Sequence, residues 1–326
     1  MSTRPFLPPV PAAFFGIVLG LTGLGASWRA AHDAWGLPAA VGEALMAAGA
    51  AVWAVVLLLY IAKWINHRAA AVAEVEHPVQ CCFIGLAGVA TMLVAGGALP
   101  HSRPLALVLY ALGAAFTLLF AVWRTGGLWQ GGRDPATTTA VLYLPTVAGS
   151  FVAGIMAAAL GYREAGQMAF GAGFFGWLAI ESVLLHRLLT APALAPALRP
   201  TLGVQLAPPV VGAVALISVA PDLPALFPRM LVGYGLLQAL VLLRLLPWIL
   251  QEAFTPAFWA FTFGATALAT TPVRMAARGD TGVLAQLAPA LFLLANVVVG
   301  VVAVGTVYRA LQGRLLPPPP VPATPR

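Results

Sequence analysis

The hydrophobic residues of this chain fall into long blocks separated by short turn-forming stretches. A helix needs roughly 20 mostly apolar residues to cross the hydrocarbon of a bilayer. Ten blocks meet that length: 12–31, 39–64, 79–99, 104–124, 139–162, 165–189, 201–220, 225–249, 256–275 and 283–311. Between them lie clusters rich in Gly, Pro and Asp, such as Gly36-Leu37-Pro38, Gly131 to Pro135, Pro192 to Pro200 and Arg278-Gly279-Asp280. Such clusters punctuate helices. The predicted fold class is all-α integral membrane, with one ten-helix transmembrane domain over 1–314. A Pro-rich cytoplasmic tail, 315–326, has nothing to pack and is expected to be disordered. One connection, 66–78, is long enough for a short interfacial helix and carries Glu74, Glu76 and His77.

The ten blocks are of two kinds. The odd-numbered ones are slim, rich in Gly, Ala, Ser and Thr, and the even-numbered ones carry more Leu, Ile, Phe and Trp. Small residues let helices pack closely or line a cavity, whereas bulk suits a lipid-facing surface. The slim blocks begin near 12, 79, 139, 201 and 256. Five helical hairpins, each one slim and one bulky helix, are the simplest unit that fits this loose repeat. Closing them into a quasi-fivefold ring puts the slim helices around a central pore. The tenth block is Val-rich rather than Leu-rich and departs from the rule.

Composition excludes the other broad classes. Of 326 residues, 61% are hydrophobic and 8% charged, against about 25% charged in a soluble domain. That rules out a soluble enzyme, a nucleic-acid-binding domain and a disordered chain. The net charge of +7 comes from isolated basic residues rather than runs, which favours membrane-flanking loops over a nucleic-acid surface. With the N-terminus inside, eleven of the 17 Lys and Arg fall on the cytoplasmic side. Both termini are therefore expected in the cytoplasm, in a multi-pass protein of a bacterial inner membrane. The prolines before the first block do not read as a secretory signal.

The candidate chemistry is sparse. Away from their ends the slim blocks hold no Asp, Glu, Lys or Arg, only hydroxyls and amides. Proton-driven pumps keep ionisable groups on their path, so a bare path points to passive permeation of small ions. Pro145 and Pro208-Pro209 break slim helices and free carbonyl groups, which suits a shaped pore. The intramembrane charges Glu181 and Arg244 sit on bulky blocks and need a partner, each other or polar groups between helices. Cys81 and Cys82 are adjacent and read as small buried hydrophobes. The five histidines are scattered, so no metal or other cofactor is expected. Gly171 to Gly176 matches GxGxxG but lies within an apolar block, where close packing explains it. Paired carboxylates, a nucleophile elbow and a phosphate loop are all missing from the sequence, so an enzyme is not expected.

Several segments resemble one family. They are Phe14-Phe15-Gly16-Ile17-Val18-Leu19-Gly20-Leu21, Leu128-Trp129-Gln130-Gly131-Gly132, Tyr143-Leu144-Pro145 and Phe170-Gly171-Ala172-Gly173. With them go Gly233-Tyr234-Gly235, Arg244-Leu245-Leu246-Pro247-Trp248 and Trp259-Ala260-Phe261-Thr262-Phe263-Gly264. In order and spacing they are similar to the TehA-like tellurite-resistance and dicarboxylate transporter family, relatives of the plant guard-cell slow anion channels. The resemblance implies a homotrimer in the lipid bilayer, each subunit with its own pore, and a gate formed by Phe263. It places Gly16 on the pore wall, and we extend the expected lining to Gly20, Pro145, Pro208, Phe261, Thr262 and Gly264. Val18 departs from the proline frequent in bacterial relatives. The implied function is a channel for small monovalent anions of the chloride or nitrate kind. The alternative is a secondary carrier for C4-dicarboxylates or tellurite-type oxyanions.

Overall fold

A computed structural model describes residues 8–251 and 253–316. Among these residues the regular structure is helical throughout, with α1 at Phe15–Trp35, α2 at Ala39–Asn66, α3 at Arg68–Glu76 and α4 at Leu86–Ala98. There follow α5 at Arg103–Trp129, α6 at Gly149–Ala159, α7 at Arg163–Thr190 and α8 at Ala207–Val219. The chain closes with α9 at Leu226–Ile249, α10 at Thr262–Ala277 and α11 at Val283–Leu311. The connection at 66–78 indeed holds a short helix, α3. The tail expected at 315–326 lies, apart from Leu315 and Leu316, outside the described residues.

Among the described residues nine segments are long and apolar enough to cross a membrane, one fewer than the sequence predicts. The exception is Pro256–Phe261 with α10, which is helical but falls short in hydropathy because it carries Thr262, Thr266, Thr270, Thr271 and Arg274. Those groups do not need lipid: 12 of the 16 residues of α10 are buried. Burial alternates along the chain as the slim and bulky blocks do. In the segments built on α1, α4, α6 and α8, 61, 67, 72 and 89% of the apolar window is buried. For α2, α5, α7, α9 and α11 the share is 22–28%.

Each slim helix pairs with the bulky helix that follows it: α1 with α2, α4 with α5, α6 with α7, α8 with α9 and α10 with α11. The slim helices also touch one another in a closed order, α1 to α4, α4 to α6, α6 to α8, α8 to α10 and α10 back to α1. Glycines let the hairpins close: a Cβ at Gly88 would lie 2.7 Å from the Gly113 carbonyl, and one at Gly154 3.0 Å from that of Gly166. Between α1 and α10 the seam is Gly20 on Thr262, Gly23 on Thr266, and Ser27, whose hydroxyl lies 2.7 Å from that of Thr270.

The slim helices all start alike. A tight 3-10 turn precedes α1 (Ala12–Phe14), α4 (Gln80–Gly85), α8 (Pro196–Leu206) and α10 (Pro256–Phe261). A π-type turn over Leu144–Ala148 precedes α6. Its Pro145 has no N–H to give, and helices widen where a hydrogen bond is lost. We call the face where the slim helices begin proximal and the opposite face distal. α1 itself runs unbroken through Val18 and stops at Gly36 (φ 68°), whose N–H satisfies the His32 carbonyl. Cys81 and Cys82 are free thiols, both buried.

Candidate functional site

Two cavities lie among the slim helices. The proximal one is walled by Ala13, Gly16, Leu19, Phe83, Tyr143, Val147, Phe151, Pro208, Pro256 and Trp259, and among the described residues no charged side chain lines it. The distal one runs past Thr22, Gly23, Thr266 and Thr270 to Arg29, Asp33 and Arg274. Phe263 and Val211 belong to both walls. Phe263 therefore borders both cavities. Gly23 gives it room, since a Cβ there would come within 3.2 Å of the ring.

The other residues singled out in the sequence divide. Gly16 and Pro208 line the proximal cavity. Gly20, Pro145, Phe261, Thr262 and Gly264 line neither cavity and sit in helix seams instead. A Cβ at Gly20 would strike Thr262 and Trp259, and one at Gly264 would lie 2.9 Å from Leu206. Pro145 backs onto Gly85, and the Phe261 ring lies over Gly203. The Thr262 hydroxyl is spent on the Trp259 carbonyl at 2.8 Å. Neighbours in sequence to a cavity residue point elsewhere because successive helical side chains are turned by about 100°.

Glu181 and Arg244 do not meet. Arg244 is exposed on α9. Glu181 is buried on α7 and accepts hydrogen bonds from Tyr143 Oη, from Tyr234 Oη (2.5 Å), Gln205 Nε2 (2.9 Å) and Trp177 Nε1 (3.1 Å). Its partners are neutral donors, and among the described residues it forms no ion pair. One of them, Tyr143, turns its hydroxyl to Glu181 while lining the proximal cavity. Replacing Glu181 by Leu strands four donors and is expected to cost about 2 kcal/mol. Glu181→Gln, which keeps an acceptor, costs less. Thermal unfolding in detergent checks both, and equal midpoints for Leu and parent would refute the bracing role.

Sequence alone places Arg274 at the end of a block, yet it stands on the cavity wall. The signal was its spacing from Phe263: Thr266, Ala267, Thr270 and Arg274 follow at three, four, seven and eleven residues, one helical stripe. Arg29 also faces the distal cavity but is held by Glu43 at 2.7 and 2.9 Å and by the carbonyls of Gly96 and Gly97. Among the described residues no three His, Cys, Asp or Glu side chains gather as a metal-binding group.

Among the described residues the regular structure is helical, and two cavities that share Phe263 and Val211 lie among the slim helices. The family described as SLAC1, voltage-dependent anion channel, matches residues 9–307. This chain belongs to that family. It is 35% identical over 314 residues to the tellurite resistance protein TehA homolog of Haemophilus influenzae, covering 96% of this chain and 94% of that protein. It is 24% identical to the guard cell S-type anion channel SLAC1 of Arabidopsis thaliana, over 96% of this chain but 58% of the plant protein. The S-type anion channel SLAH2 of the same plant is also 24% identical, over 84% of this chain and 54% of its own length. The chain is thus a multi-pass membrane protein of an anion-transporting family.

Proposed function

We propose that this protein is an anion channel in which Phe263 gates a pore within each subunit. Small monovalent anions such as chloride and nitrate move down their electrochemical gradient. The pore is the axis of ten spanning helices, five hairpins in a quasi-fivefold ring. Pro256 to Ala277 serves as the ninth span despite its modest hydropathy, since burial inside the ring spares it from lipid. The single observation that carries the reading is the position of Phe263, on the wall of both cavities inside the closed order of slim helices. An aromatic ring closing a narrow apolar passage also dewets it. Selectivity then follows from how readily an anion sheds water into a passage whose proximal wall is uncharged.

The setting we infer is the inner membrane of a bacterium, with the proximal face and both termini in the cytoplasm, where basic residues are favoured. We also infer a homotrimer, as the resemblance implies. Reconstitution into planar bilayers tests the function. Unitary current steps carried by chloride or nitrate are expected. Saturable, proton-dependent uptake of malate or tellurite-type oxyanions without such steps would replace the channel by the carrier.

A further inference from the structure

We propose that Arg274 forms an anion-binding station in the distal vestibule that prefers small oxyanions such as nitrate to halides. The proposal rests on the channel reading and deepens it. Phe263, Thr266, Ala267, Thr270 and Arg274 share the distal cavity wall. Eleven residues at about 1.5 Å and about 100° each return Arg274 to the face of Phe263, roughly 16 Å farther along the helix. An anion passing between the distal mouth and the ring travels along this stripe.

Elimination makes Arg274 the donor. The threonine hydroxyls of the cavity wall already donate to carbonyls: Thr22 to Val18 at 2.7 Å, Thr266 to Phe263 at 3.0 Å and Thr270 to Thr266 at 2.7 Å. Arg29 is neutralised by Glu43, and four of its five N–H groups are engaged. Arg274 gives one hydrogen bond, from Nη1 to Ser218 Oγ at 3.2 Å, and forms no ion pair among the described residues. Asp33 lies on the same wall, exposed and outside ion-pair distance of it. A guanidinium carries five N–H donors in a planar fork. With one engaged, the fork can still grip two oxygens of an oxyanion side by side, which a spherical halide cannot match. Its charge in a narrow low-dielectric cavity also concentrates anions, most strongly when salt is low.

Currents of the Phe263→Ala protein in planar bilayers, in chloride and in nitrate at low and high salt, test the site. Arg274→Gln is expected to lower the low-salt conductance about fivefold, leave the high-salt conductance nearly unchanged and reduce the preference for nitrate to the part that dehydration alone sets. Arg274→Lys should restore the low-salt conductance but not the added nitrate preference, because an ammonium is a point charge. Asp33→Asn, which removes the opposing charge, should raise the low-salt conductance. Low-salt currents and nitrate preference unchanged in Arg274→Gln would overturn the proposal. Should the Gln variant fail to reach the membrane, a Lys variant that keeps the full nitrate preference of its Phe263→Ala parent would overturn it equally. No current from the Phe263→Ala parent would instead strike down the channel reading, and the site with it.

Discussion

On the channel reading, replacing Phe263 by Ala is expected to raise anion conductance by about tenfold or more, since Phe263 borders both cavities and is the proposed gate. The ring is half-buried, with Gly23 leaving room on one side and Val211 on the shared wall. A phenyl group has no hydrogen bond to break, so it can turn between staggered rotamers at modest cost. Ala leaves too little side chain to close the gap, while Leu, shorter but still apolar, should give an intermediate current. Planar-bilayer recording or anion flux from liposomes, normalised to reconstituted protein, provides the measurement. Equal currents from Phe263→Ala and parent would remove Phe263 from the mechanism.

The second large effect is expected at the proximal edge, where Lys63 on α2 and Glu74 on α3 form an ion pair of 2.7 Å, 5 and 7% exposed. Glu74 also accepts from the Ala12 backbone N–H at 2.9 Å and from Tyr60 Oη at 3.1 Å. It therefore ties the short helix α3 to the start of α1, the helix that carries Gly16 on the cavity wall. Lys63→Met leaves a buried carboxylate without its cation, and breaking such a pair costs about 3–5 kcal/mol. Pairing that change with Glu74→Gln removes both charges and keeps an acceptor for the Ala12 N–H. The double variant should regain most of the loss. Thermal unfolding midpoints in detergent read both, and a Lys63→Met protein as stable as the parent would refute the role of the pair.

Much of the membrane architecture was legible in the chain. Block length gave the spans, and the alternation of slim and bulky blocks anticipated which helices are buried. The ninth block shows the limit of that reading. Residues 256–275 resemble the other blocks by position and motif, yet their threonines and Arg274 lower their hydropathy. They are accommodated because α10 packs against α1, α8 and α11 rather than against lipid. The candidate wall was legible only in part. Gly20, Thr262 and Gly264 stand beside cavity residues in sequence but fill seams in space. The resemblance pointed to Phe263, and nothing local pointed to the four donors around Glu181, which come from α7, α9 and the turns before α6 and α8.

The sequence by itself determined that this is a helical membrane protein with a charge-poor set of small-residue helices, because hydrophobic block length and side-chain size are properties of neighbours along the chain. Only the tertiary structure decided which side chains share a cavity, which charges are paired and where Arg274 points. Those outcomes depend on how each helix is rotated about its axis against partners far away in sequence. Each residue step turns a helix by about 100°, so a motif locates a position along the passage without saying which way it faces.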